Sequence, residues 1–376
     1  MSGSSALSQS EQSPWIPDFN GYMKVMDIYT YSPDLNQNPK STLFHNRLNF
    51  KWYFSNTLTG RVEGRSRFFI GEGIEAQQPL FGKLLEQDNG LVDLSFVPYE
   101  RDFMLAHINI DRLWLEYVKG DWNIKAGRQR INWGINITWN PNDIFNTYDF
   151  LDFDYEERPG NDAVKVTKYL SDLSFIEVAT SLNENLEKMV IAGKYQMNNQ
   201  GYDVQFLGGK FLEDIVVGTG WAGNIKDAGF KGELSYFHPY EDIYGSSGVY
   251  NFSTSSDYSF ENGWFVNATY LFNSNANEKL PFILLLELVE QSPKNLYPAK
   301  HTFAAGTGKQ LSPLSTFSFS SVYSPKAKAL ILLPAITLSI EENFDFDFIA
   351  QSFFGEYPVK FKNITNGIYL RLKVSF

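Results

Sequence analysis

The sequence has no cysteine, only four histidines, no surplus of positive charge, and no apolar run approaching the length of a membrane-spanning helix. Each absence excludes something. Without cysteine there are neither disulfide staples nor thiolate metal sites, which fits an exported bacterial protein that avoids disulfide chemistry. His45, His107, His238 and His301 lie far apart, with no pair at metal-ligand spacing, so no metal site is expected. A net charge of −11 argues against nucleic acid as a partner. A transmembrane helix needs about 18 or more consecutive apolar residues. The longest run here, at 281–286, is only strand-sized. Residues 1–17 are rich in Ser and Gln and do not show a charged start followed by an apolar core, so no secretory signal is read there and the chain is taken as a mature form.

What the chain has in abundance is aromatic side chains: 32 Phe, 21 Tyr and 8 Trp, or 16% of the residues. Its mean hydropathy is nonetheless slightly negative, at −0.28. That combination suits an outer-membrane barrel, where lipid-facing and water-facing residues alternate along each strand while aromatic girdles collect at the two interfaces. A length of 376 residues is compatible with one large barrel or with two or three soluble domains. A soluble all-β binding protein is the plainer alternative.

The last nine residues favour the barrel. Ile368, Leu370, Leu372, Val374 and Phe376 are apolar, and Tyr369, Arg371, Lys373 and Ser375 fill the places between them. A strict period of two puts one apolar row on one face of a strand and a basic, polar row on the other. The chain stops on an aromatic residue in phase with the apolar row. This resembles the carboxy-terminal assembly signal of bacterial outer-membrane β-barrel proteins, which implies outer-membrane lipid and the barrel-assembly machinery as partners.

The same alternation recurs upstream. Leu48, Phe50, Trp52 and Phe54 interleave with His45, Arg47, Asn49, Lys51 and Tyr53, and Val62, Gly64, Ser66, Phe68 and Ile70 with Arg61, Glu63, Arg65 and Arg67. A row of arginines is costly against lipid, so that row should face water. Further alternating segments run through Val164, Ile176, Val204, Leu234, Val266 and Phe346, and the phase slips between Asp111 and Leu113, where a β-bulge is expected. Connections are tight near 119–121, 171–173, 198–200 and 312–314 and long at 71–104 and 133–161, as expected of short periplasmic turns and longer outer loops. The predicted architecture is a flexible lead-in over 1–19 and one all-β transmembrane antiparallel barrel over 20–376. It has about 18 strands, or 16 if the weak segments near Tyr22 and 240–256 are not strands.

The most distinctive passage off the strands is Gly127-Arg128-Gln129, Asn132-Trp133-Gly134, Asn140-Pro141-Asn142-Asp143, Phe145-Asn146 and Arg158-Pro159-Gly160. In that order these motifs resemble a group of bacterial outer-membrane porins of the alginate-export type. The resemblance implies that a strand leads into a loop folded toward the lumen, here about 133–161. Such a loop would narrow a wide aqueous hole and position charge within it. It would carry Asp143, Asp149, Asp152, Asp154, Glu156 and Glu157, facing pore-lining basic residues Arg47, Lys51, Arg61, Arg65, Arg67, Lys165, Arg371 and Lys373. The alternative is that these acids decorate an outward loop and pair with arginines. Counting from Ile124 and Ala126 points Arg128 and Arg130 at lipid unless Gly127 shifts the phase or they sit above the apolar band, and the resemblance favours an inward placement.

Gly218-Thr219-Gly220-Trp221-Ala222-Gly223 matches dinucleotide-binding spacing, but an alternating strand follows where a helix is required. No short-range Ser and His arrangement singles itself out, so no enzyme is expected, and no cofactor is implied. The expected function is passive diffusion of small hydrophilic solutes across the bacterial outer membrane. The resemblance adds acidic or oligosaccharide solutes, since lumen arginines suit carboxylates, while the acidic loop argues the other way. The alternative is a barrel plugged by its loops at 71–104 and 133–161 that serves as an accessory subunit with protein partners in a larger complex.

Overall fold

The structure is a computed structural model that describes residues 15–33, 38–75, 80–88, 90–146, 157–158, 160–241, 247–276, 291–356 and 360–376. Among these residues the strands are β1 (Asp18–Tyr31), β2 (Lys40–Tyr53), β3 (Leu58–Gly71), β4 (Ser95–Arg101), β5 (Met104–Lys119), β6 (Trp122–Gln129), β7 (Asn161–Ser171), β8 (Ser174–Ser181), β9 (Val190–Asn199) and β10 (Tyr202–Phe211). They continue with β11 (Asp214–Ile225), β12 (Ala228–Pro239), β13 (Val249–Ser259), β14 (Trp264–Asn273), β15 (His301–Ser312), β16 (Ser315–Ser324), β17 (Ala329–Glu341), β18 (Phe344–Glu356) and β19 (Phe361–Ser375). Two short helices, α1 (Glu72–Glu75) and α2 (Leu80–Glu86), lie between β3 and β4.

Each strand pairs antiparallel with a neighbour in sequence, and β1 pairs with both β2 and β19, so the sheet closes on itself. The closing seam runs to the last residue: Gly21 N–H donates to Phe376 O and Phe376 N–H to Gly21 O, at 2.9 and 3.0 Å. Eighteen strands form the wall. The nineteenth, β4, shares a position with β6: β5 pairs with β4 over residues 104–109 and, on the same edge, with β6 over 113–119. Both segments whose strand character was in doubt, near Tyr22 and within 240–256, contribute wall strands, which fixes the number at eighteen rather than sixteen.

Connections at the end that holds both termini are two to four residues long, and the long ones lie at the opposite end. At Gln200-Gly201 both turn residues have positive φ, 53° and 83°, the geometry that matches the twist of the strands a two-residue turn joins. The alternation expected at the carboxy terminus is present: Ile368, Leu372, Val374 and Phe376 are exposed on the outside, and Phe376 stacks within an outward aromatic group with Phe19 and Phe50. The expected bulge is at Asp111: Glu63 faces Arg112 and Gly64 faces Ile110, so Asp111 has no opposite residue and both Asp111 and Arg112 are buried.

The apolar clusters lie inside the wall. Ile131, Trp133, Ile144 and Phe145 pack on inward residues of β7–β12; Trp139, Leu296, Tyr297 and Ala299 on those of β14–β17; and Ile74 of α1, with Phe81 and Leu85 of α2, on Met26, Leu43, Phe69 and Leu105. Described parts of three long connections therefore lie inside the wall, whereas an inward course is expected from the sequence for 133–161 and, in the plugged alternative, for 71–104. The segment at 291–300 was not anticipated.

Gly127 and Gly120 both have positive φ, 112° and 57°, in different settings: a Cβ at Gly127 would meet Leu113 O at 2.2 Å, whereas one at Gly120 would meet nothing within 4 Å. Gly120→Ala should cost about 1–2 kcal/mol, the ordinary penalty of a left-handed non-glycine residue. Gly127→Ala should cost clearly more, because it adds a backbone collision to a glycine-only conformation. Guanidinium unfolding midpoints of the two variants in detergent check the order, and equal midpoints would refute it.

Candidate functional site

The inner wall divides into two chemically different arcs. Across β1, β2, β3 and β5 the register lines up inward residues in rows: Asp18, Lys51, Arg61; then Asn20, Asn49, Glu63, Arg112; then Tyr22, Arg47, Arg65, Asn109; then Lys24, His45, Arg67, His107, with Lys373 of β19 opposite Lys24. The period-two pattern that keeps Phe44, Leu48 and Phe68 outside brings these residues together inside. Arg47 is 2% exposed and pairs with both Glu63 and Asp111. Glu63 also holds Arg61, and Asp111 also holds Arg65 at 3.2 Å. Glu63 and Asp111 thus bridge three guanidinium groups of β2 and β3. Arg61 remains 36% exposed by side chain, so this part of the wall presents positive charge to the lumen.

The other expected basic residues are placed as follows. Lys51 Nζ sits 4.5 Å from the Tyr53 ring centre and Lys373 Nζ 4.7 Å from that of Tyr22. Lys165 bonds Glu177 at 3.1 Å, Arg371 bonds Asp347 at 2.9 Å, and Arg67 shares a hydrogen bond with His107 Nδ1 at 3.0 Å. Arg130 lies near Asp143 and feels its charge.

Arg128 departs from the expected pore-lining row. It is 4% exposed, its Nε donates to Asp162 at 2.8 Å, and its terminal nitrogens donate to Asp88 at 2.6 Å and to Val92 O at 2.6 Å. It clasps the segment leading into β4 to the β6–β7 pair, where β4 takes over the position that β6 vacates. Its charge is used inside that seam and no guanidinium face is left for a solute.

The second arc runs over β8–β14, and the segment 130–146 is seated on it. Glu233 of β12 is fully buried and accepts three backbone N–H groups from that segment: Ile135 at 2.5 Å and Asn136 at 2.9 Å on Oε1, and Asn142 at 2.8 Å on Oε2. Asn142 in turn donates to Thr219 O and accepts from Ser235 Oγ, while Asn136 reaches Ser253 and Ser255. Trp133 Nε1 donates to Glu177 at 2.6 Å, and Gln205 donates to Trp133 O at 2.9 Å. The second inward segment is tied in the same way, Asn251 donating to Pro293 O and Asn273 to Tyr297 O, and the two segments meet where Trp139 packs against Tyr297 with ring centres 5.6 Å apart.

The expected acidic face of the loop is only partly within the described residues. Asp149, Asp152, Asp154 and Glu156 lie outside them. Glu157 approaches Arg112 at 3.6 Å. Asp143 does not face the passage: it is 2% exposed, accepts from Trp133 N and lies 3.3 Å from Arg158. Burial pushes its carboxyl up to about 7, although Arg158, the Trp133 amide and Arg130 all pull it down. It is an anchor within the loop, because a carboxylate so enclosed has no open side to offer a solute. Among the described residues no cluster of three His, Cys, Asp or Glu side chains is arranged to hold a metal ion.

Sequence reasoning missed Glu233, Asn142 and Asn136 as the seat of the loop. The one available signal was that Glu233 belongs to an inward polar row with Lys231 and Ser235, where a carboxylate must find donors.

No protein-family model and no curated protein sequence matches the chain. Solved structures do. Acinetobacter baumannii OccAB4 superposes with a TM-score of 0.58 at 9% identity, covering 97% of this chain and 100% of that one. Pseudomonas aeruginosa OpdQ gives 0.57 at 9%, covering 96% and 98%, and Pseudomonas aeruginosa OccK8 (OprE) gives 0.56 at 11%, covering 97% and 99%. At this identity the likeness establishes a shared fold, an eighteen-strand closed barrel over nearly the whole of both chains. These structures lend no support to the narrower alginate-export resemblance.

Proposed function

We propose that the protein is an outer-membrane porin that lets small hydrophilic solutes diffuse passively through its lumen, with a preference for anionic ones such as carboxylates. The observation that carries this reading is the arc of Arg47, Arg61 and Arg65 gathered around Glu63 and Asp111, with the Arg61 side chain still 36% exposed. A guanidinium is always charged and offers a planar fork of donors that matches a carboxylate. Facing it, the segment 130–146 narrows the passage, so solutes pass close to the basic arc. The fold shared with the Occ and OprE structures supports a channel and an outer-membrane location.

A second reading has its own support. Three inward segments with buried apolar contacts fill part of the lumen, as a loop-plugged accessory subunit of a larger complex would require. Single-channel recording in planar bilayers separates the two. Stable ohmic steps, with a reversal potential in a salt gradient showing anion preference that falls in Arg61→Ala, support the porin. Folded protein that gives no steps at any voltage supports the plug.

Two further outcomes concern the seat of the loop. Glu233→Ala leaves three amide N–H groups without their acceptor, so the segment should lose about 3–5 kcal/mol of seating. The expected readouts are new protease cleavage within 130–146 and noisier open-channel current; an unchanged digest would show that the apolar contacts suffice. The second outcome is pH dependence. The seated Asp143 carboxyl titrates near 7, whereas an unseated one titrates near the ordinary aspartate value of about 4. Below that lower value both forms are protonated and seating is strongest. As pH rises to 7 only the unseated form ionises, so seating weakens across this window and levels off above it. Asp143→Asn should flatten the change in current noise over the same range.

A further inference from the structure

Outward residues of β13–β16 form a groove of about 440 Å³. Its floor is one register row across four strands, Ser256, Ala268, Ala305 and Ser321, and its wall toward the long-loop end is the next row, Thr254, Tyr270, Phe303 and Tyr323. The groove is less polar than its composition: Thr254 of the wall and Ser256 of the floor donate to Lys231 O and Gly229 O at 2.9 Å, so these hydroxyls are turned back to the sheet.

Just beyond the aromatic wall the chemistry changes. The Tyr270 hydroxyl lies 2.8 Å from His301 Nδ1. His301 faces Phe272 across the β14–β15 pair, and Lys300 Nζ lies 6.0 Å from the Phe272 ring centre. With the tyrosine hydroxyl donating to Nδ1, Nε2 carries the ring proton and is a donor. An ammonium and an N–H donor therefore stand at the rim of an apolar groove on the outer surface.

We propose that the groove seats one acyl chain of a phosphate-bearing lipid of the outer leaflet, with its head group held by Lys300 and His301. This rests on the reading of the barrel as a membrane protein. Apolar surface below and positive charge above match an anionic amphiphile along its length, with the phosphate at the height where the hydrocarbon layer ends. A free phosphate would engage the rim alone, and a zwitterionic lipid would gain from the groove but much less from Lys300.

The test follows the thermal midpoint of the detergent-solubilised protein with added phosphatidylglycerol, with phosphatidylcholine of the same chains, or with inorganic phosphate. Phosphatidylglycerol should raise the midpoint most. Replacing both rim residues, Lys300→Ala with His301→Ala, should weaken its apparent affinity about tenfold, as loss of one charge-assisted contact implies, and bring it to the phosphatidylcholine level. Ala305→Phe, which fills the groove from the lipid side, should abolish the effect of both lipids. His238→Ala should change nothing: His238 shares a 2.9 Å hydrogen bond with Tyr236 but does not line this groove. Equal shifts from the two lipids, a preference that survives Ala305→Phe, or an equal shift from inorganic phosphate alone would overturn the proposal. Protein that stays monodisperse after detergent removal would overturn the membrane reading itself, whatever the lipids do.

Discussion

Closure of the sheet is the constraint on which the rest of the structure depends. Once β1 sits between β2 and β19 the sheet closes, and each wall strand presents one face inward and one outward. The outward face is consequently apolar and aromatic, and the inward face collects the charge. The even strand number puts both ends of the chain on the same rim, where turns of two to four residues suffice. Length that the wall does not use is left at the other rim, and three of those long connections find their apolar contacts by folding in.

Those inward segments are held by different means from the basic arc. The segment 130–146 is gripped chiefly by amide, hydroxyl and backbone groups, with the carboxylates of Glu233 and Glu177 both accepting from it, whereas β2, β3 and β5 are laced by ion pairs. Hydrogen bonds to a buried carboxylate that already accepts three N–H groups leave it little reason to attract a cation. The ion pairs of β2, β3 and β5 leave the Arg61 side chain partly open to the lumen. The two anchoring chemistries therefore give the two arcs different inner faces, one laced by arginine–carboxylate pairs and the other covered by the seated segment.

The wall was legible in the sequence because its signal is local. Arg61, Glu63, Arg65 and Arg67 alternate with apolar or small residues, and the rule that charge avoids lipid is enough to orient the whole strand. The bulge at Asp111 was legible for the same reason, since it breaks a period that is otherwise kept. The seat of the loop was not, because it is made by partners far apart in the chain: the Ile135 amide and Glu233 are 98 residues apart, and nothing near either one names the other. The inward course of 291–300 depends on Asn251 and Asn273, whose side chains in isolation read as ordinary inward strand positions. Arg128 was ambiguous for a different reason. Its parity was counted correctly, but the alternatives assumed that whatever lay beside β6 was lipid or lumen, and the structure puts another piece of the chain there.

That last case bears on how the passage acquires its shape. β6 stops at Gln129 because the chain turns into the lumen, and the wall above it would have a gap if β4 did not continue the pairing along β5. The clasp of Arg128 with Asp88 and Asp162 joins the three pieces that meet there: the lead into β4, the end of β6 and the start of β7. A neutral side chain at 128 would leave the carboxylates of Asp88 and the buried Asp162 with no cation between them. The charge at this position is thus a condition for letting one strand leave the wall without opening it, which in turn allows 130–146 to cross toward Glu233.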